Sequence, residues 1–232
     1  MAGFEALVGK HCNSQSSPVK GTKEIPVVSW RKFKRITSKA LKHGIFTKGS
    51  RSANKVRLED SLTQIKKNEV HVIDVANLSE IMQSFVFGYV VRTINKLQLG
   101  EYDGDNYKPP KRIIIFIDEL NKYASTETPK NSPILRQILD VAERGRSLGV
   151  ILFAAEQFRS AIQDRVKGNC STHAYGRTNS IETGKSDYKS IPSTYKSILT
   201  RLEPGEYLLQ NPIFRSMLKV RFPKPIYKQF KQ

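Results

Sequence analysis

Hydrophobic and polar positions alternate along the middle of the chain in a pattern that predicts short buried strands separated by helices. Short, continuously apolar runs are typical of strands covered on both faces of a sheet. Three occur here: VHVIDV (70–75), RIIIFID (112–118) and GVILFAA (149–155). Between them, apolar residues recur at helical spacing in SEIMQSFVFGYVVRTINKL (79–97) and PILRQILDVAERGRS (133–147). This alternation predicts an α/β fold with a mostly parallel sheet and helices on both faces.

The flanking regions are less regular but still predict elements. IPVVSW (25–30) is typical of a short strand, and LEDSLTQIKK (58–67) has helical spacing. Three later runs predict further strands: HAYGR (173–177), EYLLQ (206–210) and MLKVRF (217–222). We therefore predict an irregular basic segment over 1–24, an α/β domain over 25–223 and a basic tail over 224–232.

The charge of the chain is strongly positive and uneven. The net charge is +18 over 232 residues. Residues 1–58 hold 13 Lys and Arg against two Glu, and residues 212–232 hold six Lys and Arg and no acid. Basic ends around a near-neutral body favour a polyanionic partner such as DNA. The alternative is a solubilising surface with flexible basic tails.

Other compositional features exclude several classes of protein. No apolar run is long enough to span a membrane, and the N-terminus lacks the apolar core of a signal peptide. Cys12 and Cys170 lack the spacing of a zinc site or a disulfide framework, so we predict a cytoplasmic protein. His71 and His173 stand alone in strand-like runs and are predicted to be packing or surface residues.

The clearest chemical signal is the pair of carboxylates at the end of RIIIFIDELN (112–121). In phosphate-hydrolysing α/β proteins, such a strand ends in an Asp that binds Mg²⁺ and a Glu that polarises the attacking water. Asp118 and Glu119 fit these two roles. The alternative is an ordinary buried strand that meets a helix whose first turn favours acidic residues.

A phosphate-binding loop should read G-x-x-x-x-G-K-[ST], and two stretches come near it. GFEALVGKH (3–11) has one residue too many between its glycines and His11 in place of the hydroxyl. NSIETGKS (179–186) has Asn179 in place of the first glycine, and Pro192 interrupts the helix that should follow. We therefore predict a polar surface loop at 179–186 and no phosphate loop in these 232 residues.

Four motifs in order resemble the C-terminal half of HerA-like ATPases of the HerA/FtsK superfamily. They are VIDVANLSEIMQSFVFGYVVRTI (72–94), IIIFIDELNKYA (113–124), ILRQILDVAERGRSLGVILFAAEQFRSAI (134–162) and LTRLEPGEYLLQ (199–210). The resemblance covers residues 57–223, with weaker support from residue 25. It implies a partial RecA-like P-loop ATPase fold. The N-terminal barrel of that family and its Walker A strand, loop and helix have no counterpart here.

The resemblance also implies roles for individual residues. Asp118 corresponds to the Walker B Asp that binds Mg²⁺, and Glu119 to the Glu that activates water. Gln157 corresponds to a polar residue that senses the γ-phosphate. Arg146, with Arg144 as the second choice, corresponds to an Arg near a subunit boundary. Asn121 stands where many relatives have His.

Two functions follow as hypotheses. In the first, the chain is the C-terminal part of a hexameric DNA translocase or helicase that uses ATP and Mg²⁺, with a possible nuclease partner or a separate phosphate-loop subunit. Without a phosphate loop, the isolated chain is expected to be nearly inactive. In the second, it is a non-hydrolysing RecA-like remnant that binds nucleic acid or a motor subunit.

Overall fold

The computed structural model describes residues 27–42, 44–46, 56–102 and 108–223. The predictions for 1–24, for the near-match at 3–11, for Cys12 and for the tail at 224–232 lie outside these residues. The chain divides into two compact units, Met1–Val56 and Arg57–Gln232. The predicted domain boundary at residue 25 stays a prediction.

In the first unit, the structure describes one long helix, α1, Val27–Leu41. The prediction of a strand at 25–30 is therefore wrong for its described part. Two neighbouring β-branched residues, Val27 and Val28, suggested a strand. The residues after them follow the helical period instead, with Trp30, Thr37 and Leu41 half-buried and the cations between them exposed.

The second unit contains two small sheets and several helices. In chain order the elements are α2 Leu58–Leu62, α3 Glu80–Gln98, β1 Ile113–Ile117, α4 Asn121–Ala124, α5 Pro133–Leu148, β2 Val150–Ala154, α6 Asp164–Asn169, β3 His173–Tyr175, α7 Ser180–Thr183, α8 Ser193–Leu199, β4 Glu206–Gln210 and β5 Leu218–Arg221. Among the described residues, no helix is long and apolar enough to cross a bilayer.

Strands β1 and β2 are parallel and joined by the crossover helix α5, as the alternating pattern predicted. Ile113 pairs with Val150 and Ile117 with Ala154. Helix α5 begins at Pro133 and ends at Leu148, and Gly149, which follows it, has a φ of +73°. Proline at the start and a left-handed glycine at the end are the expected helix boundaries.

The main core lies on one face of this parallel pair. Ile113, Ile115, Ile117 and Val150 are buried with side chains of α3 and α5, including Val91, Ile94, Leu135, Ile138 and Val141. Deep burial of this many aliphatic side chains is the main stabilising contribution to this part of the fold. It holds β1 and β2 in register and so fixes the positions of their carboxyl ends.

The opposite face of the pair is uncovered among the described residues, contrary to the prediction of helices on both faces. Ile114 is 60% exposed and Phe116 69%, and Phe153 on β2 is 54% exposed. We call Ile114, Phe116, Ile151 and Phe153 the open sheet face. Parallel strands are normally buried on both sides, so this face lacks a covering layer in the part of the chain that the structure describes.

The prediction of a strand at 70–75 is also wrong. This segment belongs to no strand, and Val70 and Val72 are 88% and 86% exposed. An apolar run becomes a strand only when another strand supplies hydrogen-bond partners. No described strand pairs with this one.

The later strands form a separate antiparallel sheet in the order β3, β4, β5 rather than extending the parallel one. A second small core covers it, built from Tyr175, Tyr188, Ile191, Leu199, Leu202 and Leu208. The Arg159 Nη1 lies 3.0 Å from Nδ1 of His173. Burial and then the charge of Arg159 lower the pKa of His173 to about 4. His173 is therefore a neutral packing residue at neutral pH.

Candidate functional site

Asp118 and Glu119 directly follow β1, at the carboxyl edge of the parallel pair. Asp118 is exposed, and its Oδ1 accepts a hydrogen bond of 3.0 Å from the Glu119 N–H. In open α/β sheets, ligands bind outside the carboxyl ends of the strands. The structure thus presents an exposed carboxylate, with no ion pair among the described residues, at the position where this fold class binds ligands.

Glu119 has a left-handed backbone, with a φ of +54°. This conformation is uncommon for a residue with a side chain and costs on the order of 1–2 kcal/mol. Its carboxylate forms an ion pair with Lys122, which raises the pKa of the Lys122 ammonium. Strained residues cluster at functional sites, so the turn at Glu119 supports a functional role for this carboxylate.

Glu156 ties together the ends of β1 and β2, and the sequence reasoning missed it. One carboxylate oxygen accepts a bond of 2.7 Å from the N–H of Asn121, and the other accepts a bond of 2.7 Å from the N–H of Gln157. The sequence does contain a signal for it: Glu156 is an acidic residue just after β2, as Asp118 is just after β1. Glu156 fixes the turn after Glu119 relative to the Gln157 backbone.

Gln157 is exposed and lies at the same edge as Asp118 and Glu119. Arg146 is also exposed but lies at the opposite edge of the sheet. It is in the last turn of α5, just before β2 begins, and is therefore at the amino edge. A five-residue strand spans about 16 Å, so Arg146 is too far to serve Asp118 of its own chain. The alternative, Arg144, is paired with Asp140, with an Nε to Oδ1 distance of 2.7 Å.

The donors at this edge fit a shared Mg²⁺ better than one held by protein alone. Magnesium commonly takes one or two carboxylates and completes its shell with phosphate oxygens and water. Asp118 is one such carboxylate. Among the described residues, no cluster of three or more His, Cys, Asp or Glu could hold a metal ion. The described residues thus offer one exposed carboxylate at this edge and no complete set of metal ligands.

The side-chain oxygen of Asn121 is buried and has no hydrogen-bond partner in the described ranges. A buried acceptor without a partner is rare and calls for an explanation. Asn121 opens helix α4 directly behind the acidic pair. Its oxygen is therefore an acceptor at the candidate site for a donor that the described residues do not provide.

The near-match at 179–186 is a structural cluster and not a phosphate loop. Asn179 Oδ1 caps the short helix α7 by accepting a bond of 2.8 Å from the Glu182 N–H. Glu182 is 2% exposed and accepts two bonds of 2.9 Å from Ser160. Lys185 is paired with Glu182 and donates to Ser160 at 2.8 Å. The predicted polar loop is therefore a capped helix, and its lysine has a structural partner.

Replacing Glu182 with Ala should lower the free energy of unfolding by about 2 kcal/mol, since the buried N–H and hydroxyl of Ser160 lose their acceptor. Burial alone raises the pKa of Glu182, but the bonds from Ser160 and the pair with Lys185 outweigh it and hold the pKa below 4.5. This stabilisation is therefore present above pH 4.5 and is lost as the pH falls through the lowered pKa.

Urea unfolding of the wild type and Glu182→Ala at pH 7 and pH 3 measures both effects. Glu203→Ala is the matched control, because it removes an exposed ion pair to Arg221 and should cost less than about 0.5 kcal/mol. A cost for Glu182→Ala that is equal at both pH values would show that its charge does not stabilise the fold.

Of three comparisons with known proteins, only the one with solved structures finds a match. No family model and no curated protein matches the sequence. Among solved structures, it is similar to the genome packaging NTPase B204 of Sulfolobus turreted icosahedral virus 2. The structure of B204 with ATP-gammaS has a TM-score of 0.50 and 14% identity, over 72% of each chain. The chain shares its α/β fold with this NTPase.

Two further structures of B204 align less closely. The complex with AMPPCP gives a TM-score of 0.46 and 14% identity, over 62% of this chain and 63% of B204. The complex with AMP gives 0.49 and 16%, over 95% of this chain and 87% of B204. In the first of these alignments the chain spans less than two thirds of the length of B204.

Proposed function

We propose that the chain contributes the acidic half of an ATP-hydrolysing site in a DNA-translocating motor of the HerA/FtsK type. The observation that carries this proposal is the Asp118–Glu119 turn, strained at Glu119 and placed at the carboxyl edge of a parallel strand pair. The fold shared with B204, which binds ATP-gammaS, supports a nucleotide as the ligand.

The phosphate-binding half comes from a separate polypeptide segment in this proposal. Neither near-match in the sequence has the required spacing and residues, and Lys185 is already bound to Glu182 and Ser160. The open sheet face provides apolar side chains for a further layer to cover. A helix packed there, preceded by a phosphate loop and by a strand paired with the edge of the sheet, would bring phosphate-binding N–H groups towards the carboxyl edge.

At the completed site, bound Mg²⁺ would neutralise charge on the phosphates. Asp118 would hold that ion, because its exposed carboxylate faces no competing cation among the described ion pairs. Glu119 would orient and deprotonate the attacking water. The left-handed turn and the bonds of Glu156 keep the acidic pair in a fixed position.

Arg146 fits this proposal only as a group supplied to a neighbouring subunit. It is exposed and lies at the edge opposite to Asp118. In a ring of six subunits, the amino edge of one subunit can face the carboxyl edge of the next. An Arg placed there would stabilise the charge of the transferred phosphoryl group. A nuclease working with the motor is a further possible partner.

One observation favours the second function, a non-hydrolysing module that binds nucleic acid or a motor subunit. The Glu119 carboxylate is paired with Lys122. A carboxylate oxygen that is held by an ammonium is not free to contact the attacking water. If Lys122 does not release Glu119 when nucleotide binds, the site would hold ATP without hydrolysing it.

The test compares the purified chain with the chain combined with a polypeptide that carries a phosphate loop and packs on the open sheet face. We expect the chain alone to bind MgATP weakly and to show no turnover above that of its Asp118→Asn variant. The combination should bind MgATP and hydrolyse it. Robust turnover by the chain alone, abolished by Glu119→Gln, would refute the divided site. Binding without turnover by the combination would favour the non-hydrolysing module.

A further inference from the structure

Helix α1 has a row of cations that the proposed nucleotide site does not use. Arg31, Lys32, Arg35 and Lys39 are all exposed. At 100° per residue they lie within an arc of about 100° on one side of the helix. No acidic residue occurs between Glu24 and Glu59, so the sequence around the helix offers these cations no local partner.

The other side of α1 is apolar and partly covered. Trp30, Thr37 and Leu41 are half-buried and recur at a spacing that puts them on one stripe. Trp30 and Phe33 are in edge-to-face contact, with ring centroids 5.9 Å apart. The helix therefore has a stripe suited to protein contact and an opposite cationic side exposed to solvent.

This division decides between two kinds of anionic partner. A helix that lies in a membrane surface needs a broad, free apolar side to enter the lipid. Here the apolar stripe is half-buried, and the exposed apolar residues are spread around the helix: Val28 falls within the cationic arc, and Ile36 and Phe33 lie between that arc and the stripe. Inserting Val28 into lipid would bury Arg35 and Lys39 beside it. A partner that meets the cations from outside, such as a nucleic acid backbone, needs no such burial.

We propose that α1 binds the phosphate backbone of double-stranded DNA through Arg31, Lys32, Arg35 and Lys39, without regard to base sequence. The helix is about 22 Å long, long enough for its four cations to contact several successive phosphates. The inference rests on the proposed function only in that DNA is the polymer on which the motor acts. Binding through α1 requires neither ATP nor the acidic pair.

The experiment measures the affinity for a 30-base-pair duplex of mixed sequence as a function of salt, without nucleotide. Each phosphate contact contributes about 0.9 to the slope of log K against log salt. The variant Arg31→Gln/Arg35→Gln/Lys39→Gln should lose about 2.7 from that slope and about 10²-fold in affinity at 0.1 M salt. Arg31→Lys/Arg35→Lys should retain the slope, because a point charge suffices for a phosphate.

The matched control removes the same charge elsewhere, with Lys189→Gln/Arg201→Gln/Arg215→Gln, three exposed cations of the second unit. It should change the affinity by less than about threefold, and circular dichroism should show that all variants keep their helix content. An equal loss in the control, or an unchanged slope in the α1 variant, would overturn the proposal. Binding to phosphatidylserine vesicles in place of DNA would also overturn it.

The two proposals fail in different ways. If the chain binds the duplex through α1 but does not hydrolyse ATP with a phosphate-loop polypeptide, only the ATPase proposal is refuted. If the phosphate-loop polypeptide supports hydrolysis that depends on Glu119 but the chain does not bind the duplex, only the proposed role of α1 is refuted.

Discussion

Glu119→Gln should lower ATP turnover by at least about 10²-fold at the proposed site, assembled from the chain and a phosphate-loop polypeptide. General bases contribute on the order of 10²–10⁴ to enzymatic rates, and a neutral amide cannot accept the proton of the attacking water. The change keeps the size of the side chain, so MgATP binding should stay within about threefold of the wild type. Single-turnover hydrolysis and equilibrium binding of a fluorescent ATP analogue measure the two quantities.

The control is Glu127→Gln, an exposed carboxylate outside the acidic turn, which should leave turnover unchanged. Glu119→Gly separates chemistry from backbone strain. It should also abolish turnover but stabilise the fold by up to about 1 kcal/mol, because glycine adopts a φ of +54° without steric cost. Turnover that survives Glu119→Gln would assign the base to another group, with Glu156, which is bound to the Asn121 N–H at the same edge, as the next to test.

Gly149→Ala should lower the free energy of unfolding by about 3 kcal/mol. Gly149 has a φ of +73°, which costs a residue with a Cβ about 1–2 kcal/mol. A Cβ at this position would also lie 2.3 Å from the carbonyl oxygen of Lys111. Because that contact is with the backbone, the loop into β1 must shift. For a chain of this size, we expect a decrease in Tm of roughly 10 °C.

The matched control is Gly168→Ala within α6. A Cβ there meets no atom within 4 Å, and replacing a helical glycine with alanine should stabilise the fold by about 0.5–1 kcal/mol. Thermal unfolding followed by circular dichroism gives both values. If the two variants have the same Tm, the tight connection from α5 into β2 does not limit stability.

The sequence predicts the parallel pair, its crossover helix and the place of the acidic residues. Its local signals are the continuous apolar runs of β1 and β2, Pro133 at the start of α5 and Gly149 after its end, and tertiary packing reinforces them. Asp118, Glu119 and Gln157 lie at one edge of the sheet, since parallel strands have their carboxyl ends together.

What the sequence does not predict depends on partners distant along the chain. The apolar run at 70–75 has no neighbouring strand among the described residues and stays exposed. The hydrogen bond from the Asn121 N–H to Glu156 joins residues 35 positions apart, and no local sequence pattern predicts it. Arg146 lies at the amino edge of the sheet and Asp118 at the carboxyl edge. This placement follows only once α5 is known to run antiparallel to β1.

The open sheet face has a practical consequence for anyone who produces this chain. Four large apolar side chains on adjacent strands are a surface through which copies can associate or aggregate. Expression alone is therefore expected to give inclusion bodies or mixed oligomers. Co-expression with a phosphate-loop polypeptide that packs on this face, as proposed above, should raise the yield of monodisperse protein.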